Sequence, residues 1–314
     1  MSDTLFLPDL PMDQARCLAV YETLRDIMPP SVRKASACRE RLRDLFDELD
    51  AVLLDGYGVL NIGADAVPGA ALMLAAAAEA GVEVMVVTNG ASRPSSFAGE
   101  KYRQLGLSLD TRQIVSSRDA LVDWLEHGTS PGLKVGVVDS FCIPPELSAH
   151  ECIALDPEKR ETWTKVDTIA FMGAVNWDLS WQAALEDALK EGVPLLVANP
   201  DVAAPHPGAF SFEPGYWTAR VTGIPKDQVR WFGKPHAPVF ELALRKLEEW
   251  SGRSNWRRDR IAMVGDSLHT DILGGNAAGL KTVLVTDHGI FREGGAEAAI
   301  KASGITPDVM VKTV

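Results

Sequence analysis

The sequence predicts an α/β fold: a parallel-sheet core, a second α/β unit inserted into it, and a helical extension at the N-terminus. Three observations predict this. Short continuous apolar runs, "AVLLD", "VEVMVVTNG" and "RIAMVGDS", end in polar residues rather than alternating, as strands buried on both faces do. Helix-like stretches lie between them. The alternation begins near residue 51, gives way to a second set over about 110–225, and then resumes.

Residues 1–48 read as helix-like and rich in Arg and Leu, with a break at Pro29-Pro30 and no catalytic pattern. They form an extension packed on the main domain. The core is assigned to 49–108 and 226–314, and the inserted α/β cap domain to 109–225. In the core, "AVLLD" is a strand and "PGAALMLAAAAEAG" a helix, with Pro68 near its start and Gly81 at its end. "VEVMVVTNG" is the second strand, followed by a helix from about Ser95 to Leu105. The insertion carries "KVGVV", "VDTIAFMG", "SWQAALEDALKEG" and "VPLLVANPD". The core resumes with "QVRWFGKP" as a strand, "APVFELALRKLEEW" as an amphipathic helix, "RIAMVGDS" as a strand and "HTDILGGNAAGL" as a helix. "KTVLVTDHG" and "DVMVKTV" complete the sheet.

The chain has 314 residues, 46% of them hydrophobic and 24% charged, with 31 basic against 43 acidic side chains and a net charge of −12. That balance argues against a broad nucleic-acid or anionic-membrane surface. It leaves room for an anionic substrate, because a local cation or helix N-terminus overrides the global field. Cys17, Cys38, Cys142 and Cys152 form no CxxC pair and read as reduced, mostly buried thiols. The N-terminus lacks the basic start and apolar run of a signal peptide. No apolar stretch approaches the roughly 18 to 20 residues of a membrane helix. The expectation is a soluble, cytoplasmic protein.

Ligands on parallel sheets bind at the carboxyl ends of the strands. There the sequence puts Asp55, Thr88 with Asn89 and Gly90, Lys234, and Asp266 with Asp271. Each has a plain structural role open to it. An aspartate after a strand is most often an N-cap, Thr-Asn-Gly makes a turn, and Lys234 before Pro235 suits a solvated loop. Together they supply a nucleophile, phosphate donors, a cation and metal carboxylates. An aspartate can attack a phosphoryl group and split one displacement into two. Attack by one anion on another needs neutralisation, which Mg²⁺ and a lysine provide. Asp55, Asp266 and the backbone carbonyl of Tyr57 can supply oxygen ligands to Mg²⁺. Asp271 can hold a ligand water or orient Lys234. Thr88 and the N–H groups around Asn89 and Gly90 can bind phosphoryl oxygens.

In order, "DGYGVL", "VVTNG", "GKP" and "GDSLHTD" resemble the four motifs of the haloacid dehalogenase superfamily, and the insertion resembles the α/β cap of its class IIA branch. The resemblance covers about residues 50–314. It implies a Rossmann-like core, Mg²⁺, a small phosphorylated metabolite as substrate, and often a homodimer. It makes Asp55 the nucleophile, Thr88 a phosphate ligand, Lys234 the third-motif cation, and Asp266 and Asp271 the acids around the metal. "ANPDVAAPHPGAF" resembles the branch's TNxD region and puts Asn199 and Asp201 near the cap–core junction. Tyr216 and Trp217 replace a smaller segment of many relatives and either shape the substrate pocket or pack in the cap.

The departure is Tyr57. Phosphatases of the family usually carry a second aspartate there, which protonates the leaving alcohol and then activates water, worth about 100- to 10,000-fold. A phenol with a pKa of about 10 is a poor replacement. Three readings follow: a phosphatase that recruits its acid elsewhere, with His269 and His206 as candidates; a dehalogenase, whose halide leaves without a proton; or a binding protein with little turnover. His269 is expected to face outward at the start of its helix.

Overall fold

A computed structural model of the chain describes residues 5–138, 143–206 and 209–314, and the side chains of 205 and 206 lie outside that description. Cys142 and the His206 side chain therefore fall outside it. In chain order, the first part holds α1 (Gln14–Thr23), β1 (Ala37–Arg41), β2 (Ala51–Leu54), a small hairpin of β3 (Asn61–Ile62) and β4 (Asp65–Ala66), α2 (Ala70–Ala80), β5 (Glu83–Thr88), α3 (Ser95–Gln104), β6 (Ile114–Ser116) and α4 (Ser117–Gly128). The middle holds β7 (Lys134–Val138), β8 (Glu151–Leu155), α5 (Arg160–Trp163), β9 (Thr168–Phe171), α6 (Leu179–Lys190), β10 (Leu195–Val197), β11 (Ala203–His206), β12 (Ala209–Phe212) and α7 (Pro214–Ala219). The last part holds β13 (Val229–Trp231), α8 (Ala237–Ser251), β14 (Ile261–Gly265), α9 (Leu273–Ala277), β15 (Lys281–Val285), α10 (Ala296–Ser303) and β16 (Val309–Thr313).

Two parallel sheets result. The core sheet has seven strands in the order β1-β16-β15-β14-β2-β5-β6, and the cap sheet five in the order β13-β10-β9-β7-β8. All their pairings are parallel. The four residues of β2 are completely buried, because helices cover both faces of a central parallel strand. β14, β2 and β5 lie side by side, so the carboxyl ends that carry Asp266, Asp55 and Thr88 open on one rim. One apolar cluster runs from Leu53 and Met85 of the core sheet to Val137, Ala170 and Leu196 of the cap sheet. Among the described residues, no helix is long and apolar enough to cross a membrane.

Three elements differ from the sequence reading. Residues 37–41 were expected to be helical; they form β1, a fully exposed edge strand paired with β16. "ACRER" shows no apolar alternation, and charged side chains suit an edge; only the unpaired backbone of β16 asks for a strand there. The two expected domain junctions also lie elsewhere in the sheets. β6, beyond 108/109, still belongs to the core sheet, and β13, beyond 225/226, belongs to the cap sheet. Three-residue strands carry no signal of which sheet they join. Finally, "HTDILGGNAAGL" opens as a wide π-turn over Leu268–Ile272 before α9.

Candidate active site

β2 delivers Asp55 to the rim, where its N–H still donates to the carbonyl of Val264 on β14 at 2.8 Å. The loop after it is tight for steric reasons. A Cβ on Gly56 would lie 2.4 Å from the Tyr102 hydroxyl, and one on Gly58 would lie 2.7 Å from the Asp266 carboxylate. Gly58 also has φ +72°, a left-handed conformation that glycine adopts without strain. The two glycines let the backbone pass close to both neighbours, with Tyr57 half-buried between them. Burial raises the Tyr57 phenol above its ordinary range, against the pull of Arg292.

Lys234 reaches the same place from the segment after β13. It is 1% exposed, and its Nζ lies 2.7 Å from Asp55 Oδ1 and 2.7 Å from Asp271 Oδ1. Burial alone would lower its pKa, but Asp271 and Asp55 outweigh that and raise it, so the ammonium persists. Asn89 fixes this lysine through its backbone. Asn89 Oδ1 accepts from the Lys234 N–H at 2.7 Å, and Asn89 Nδ2 donates to the Lys234 carbonyl at 3.0 Å and to Asp201 Oδ1 at 2.8 Å. The Asn89 side chain is thus a clamp between cap and core rather than a surface facing substrate. Thr88 faces the cavity described below, and its hydroxyl accepts from the Gly90 N–H at 3.2 Å.

Asp266 and Asp271 lie beneath Asp55. Asp266 Oδ2 accepts from the Ile290 N–H at 2.9 Å, and Asp271 Oδ2 from the Ser267 N–H at 3.1 Å. Glycines make room for both. A Cβ on Gly265 would fall 2.0 Å from Asp271 Cγ, and one on Gly289, at φ +69°, would fall 1.6 Å from Asp266 Oδ2. One oxygen from each of Asp55, Asp266 and Asp271 lies within 4.8 Å of the others. Burial, then repulsion from Asp271 and Asp55, raises Asp266 well above the carboxylate range. Asp271 is pushed up to about 7 by burial, with Lys234 pulling it down and Asp55 pushing it up. Three carboxylates therefore face a single ammonium. An all-oxygen, electron-rich set of this kind suits a hard divalent cation.

Above the rim lies a cavity of about 710 Å³ between core and cap, a size typical of small-molecule sites. Tyr57, Thr88, Gly90, Asn199, Asp201 and Trp217 line it. Asn199 is held by Glu213, to which its Nδ2 donates at 3.1 Å, and its Oδ1 accepts from the Asp201 N–H at 2.9 Å. Asp201 is pushed up to about 7, chiefly by burial. Of the two roles open to Tyr216, packing in the cap holds, and one expectation, for His269, fails. Tyr216 is not a cavity wall: it is wholly buried in the cap, its hydroxyl accepting from Arg16 Nη2 at 3.0 Å and its ring packed on Phe212 at 4.5 Å. His269 does not face outward: it is 1% exposed, stacked on Tyr21 at 5.0 Å, with Nε2 2.7 Å from Glu22. The N-terminal extension covers both residues, and residue spacing gave no sign of that.

Sequence reasoning also missed Tyr102, Gly265, Gly289 and the whole α3 wall of the cavity. Gly265 and Gly289 stood in the quoted "VGDS" and "TDHG" and carried a signal, since glycine beside an acid marks a close backbone approach. "GEKYRQLG" carried none.

Comparison with known proteins bears on the family of the chain. The haloacid dehalogenase-like hydrolase family matches residues 52–147, and a second family of HAD-hydrolase-like sequences matches 231–314. The chain is 28% identical over 236 residues to the ribonucleotide monophosphatase NagD of Escherichia coli (strain K12), covering 74% of this chain and 86% of that one. It is 28% identical over 296 residues to phosphoglycolate phosphatase 2 of Arabidopsis thaliana, covering 87% and 93%. A solved structure of a possible sugar phosphatase of the HAD superfamily from Cytophaga hutchinsonii shares the fold, with a TM-score of 0.74, 24% identity, and coverage of 89% and 98%. The chain belongs to the haloacid dehalogenase superfamily of hydrolases. Its place there is the class IIA branch, in which an α/β cap interrupts the core between the second and third motifs.

Proposed function

We propose that this chain hydrolyses a small phosphate monoester through an aspartyl-phosphate on Asp55, with Mg²⁺ as cofactor. The observation that supports this most is the chain of contacts Asp55–Lys234–Asp271 at 2.7 Å each, with Asp266 in the same carboxylate cluster. Asp55 attacks phosphorus, the ester oxygen leaves as the P–O bond breaks, and water then cleaves the acyl-phosphate, releasing phosphate and restoring the carboxylate. Lys234 neutralises Asp55 and, through Asp271, stays fixed beside it. Thr88 is positioned to hold a phosphoryl oxygen. A magnesium ion held by Asp55, Asp266, Asp271 and the carbonyl of Tyr57 would supply charge neutralisation of the phosphoryl group. A dehalogenase needs no such carboxylate cluster, which favours the phosphatase reading.

Tyr57 leaves open the source of the leaving-group proton, and Asp201 is the group best suited to supply it. It lines the cavity, is joined to Lys234 through Asn89, and holds its proton to about pH 7. It would protonate the departing oxygen and then take a proton from the attacking water.

Phosphate release from a panel of phosphorylated metabolites and p-nitrophenyl phosphate, with Mg²⁺ or EDTA, tests the reading. Metal-dependent turnover lost in Asp55→Asn supports it; silence from folded protein sinks it. Asp201→Asn should slow alkyl phosphates about 100-fold and p-nitrophenyl phosphate, whose leaving group needs no proton, far less. Equal losses on both would remove Asp201 from the proton path.

A further inference from the structure

We infer that the α3 wall of the cavity binds a second anionic group, so that the substrate is a phosphate monoester carrying a carboxylate or a further phosphate. This rests on the phosphatase reading above. Lys101 carries the inference. It lines the cavity about half-buried, and among the described residues its ammonium has no ion pair and no hydrogen bond. Burial lowers its pKa, and no carboxylate among the described residues restores it. Even partial withdrawal of an ammonium from water without a counter-charge disfavours its charged form. An anion arriving with the substrate would supply that counter-charge.

The surroundings fit this. Phe97 lies four residues before Lys101 and so shares its helix face, and side chains on a helix lean back toward its N-terminus. That carries Lys101 toward Phe97, over whose ring the Arg93 guanidinium sits at 5.0 Å. Among the described residues that line the cavity, Arg93 and Lys101 are the basic ones. The acids that line it are engaged already: Asp201 accepts from Asn89, and Glu213 from Asn199 and from Ser211 Oγ at 2.6 Å. Lys101 is also separate from the phosphoryl site, which has its own cation in Lys234. The next residue, Tyr102, sets its hydroxyl against Gly56, which ties α3 to the loop after the nucleophile. Val175, Trp177, Phe212 and Trp217 give the cavity apolar walls, with Ser92, Ser95 and Ser116 on the side of α3.

Two matched pairs test the inference: 2-phosphoglycolate against 2-hydroxyethyl phosphate, and 3-phosphoglycerate against glycerol 3-phosphate. In each pair a carboxylate is exchanged for a hydroxymethyl group. The expected result is a preference in kcat/KM for the acidic member of at least one pair by about 10- to 100-fold, mostly in KM. Lys101→Met should collapse that ratio toward unity and Lys101→Arg should keep it. Equal turnover of both members, or an unchanged ratio in Lys101→Met, overturns the subsite while leaving the phosphatase standing. If no ester is turned over, the phosphatase reading fails by itself. Calorimetry of the same compounds on Asp55→Asn and on Asp55→Asn with Lys101→Met then decides the subsite. Binding of the acidic compound weakened about tenfold by the second change supports it; binding unmoved by that change, or no binding to either protein, overturns it.

Discussion

The rim of the core sheet and the N-terminal extension meet around the same short segment, residues 266–271, and are built in opposite ways. The rim concentrates charge under strain. Asp55, Asp266 and Asp271 crowd together, with the ammonium of Lys234 against Asp55 and Asp271, and burial with repulsion from the neighbouring carboxylates raises the pKa of Asp266 and Asp271. The extension brings packing and hydrogen bonds. Tyr21 stacks on His269 and accepts from the Val202 N–H at 3.2 Å, Glu22 meets His269, Arg16 donates to carbonyls of Leu5, Leu7 and Pro11 as well as to Tyr216, and Gln14 Nε2 donates to the Gly294 carbonyl at 3.0 Å. Helix α1 is thereby tied to the cap at Val202 and Tyr216 and to the core at His269 and Gly294. The comparison teaches that chemistry and cohesion are divided here: the rim accepts instability to keep a reactive site, and the extension offsets it by holding cap against core.

The largest effect should follow Lys234→Met, which leaves Asp55 and Asp271 without their shared cation. Removing one partner of a buried pair costs about 3–5 kcal/mol, so urea unfolding in EDTA should show a loss of that order, with turnover down more than about 100-fold. A variant as stable as the parent would mean that the rim is not under the strain described.

Removing the metal should have a middling effect, and one that depends on pH. Asp266 and Asp271 have raised pKa values in the folded chain, Asp271 to about 7. Folding therefore favours their protonated forms. Their contribution is complete below the unfolded carboxylate value near 4 and is lost as pH rises through about 7. In EDTA the melting temperature should fall by several degrees between pH 5 and pH 8, and Mg²⁺ should flatten that slope. A flat or rising profile in EDTA would break the contrast between the two regions.

The smallest effect belongs to the extension. Tyr21→Phe keeps the stack on His269 and removes only the acceptor for Val202, a change of about 1 kcal/mol. Chemical denaturation should register it, with kcat/KM changed less than about threefold. A loss of activity like that of Lys234→Met would show that the extension takes part in the chemistry, and the division drawn here would fall.

The sequence by itself determined the fold class and the order of the catalytic strands. Apolar runs ending at Asp55, Thr88 and Asp266 are local patterns, and a buried parallel strand imposes them on its own few residues. Residue type likewise carried the chemistry, because a nucleophile, a lysine and oxygen ligands at strand ends have few joint uses. Only the tertiary structure decided what depends on partners far along the chain. It put β1 on the sheet edge, β13 in the cap sheet, His269 beneath Tyr21 and Tyr216 against Arg16. It also put Lys101 in the cavity with no counter-charge among the described residues. The physical reason is that burial and pairing are properties of surroundings. Residues 16 and 216, or 22 and 269, come together only once both sheets have formed, and nothing in either segment alone records the other.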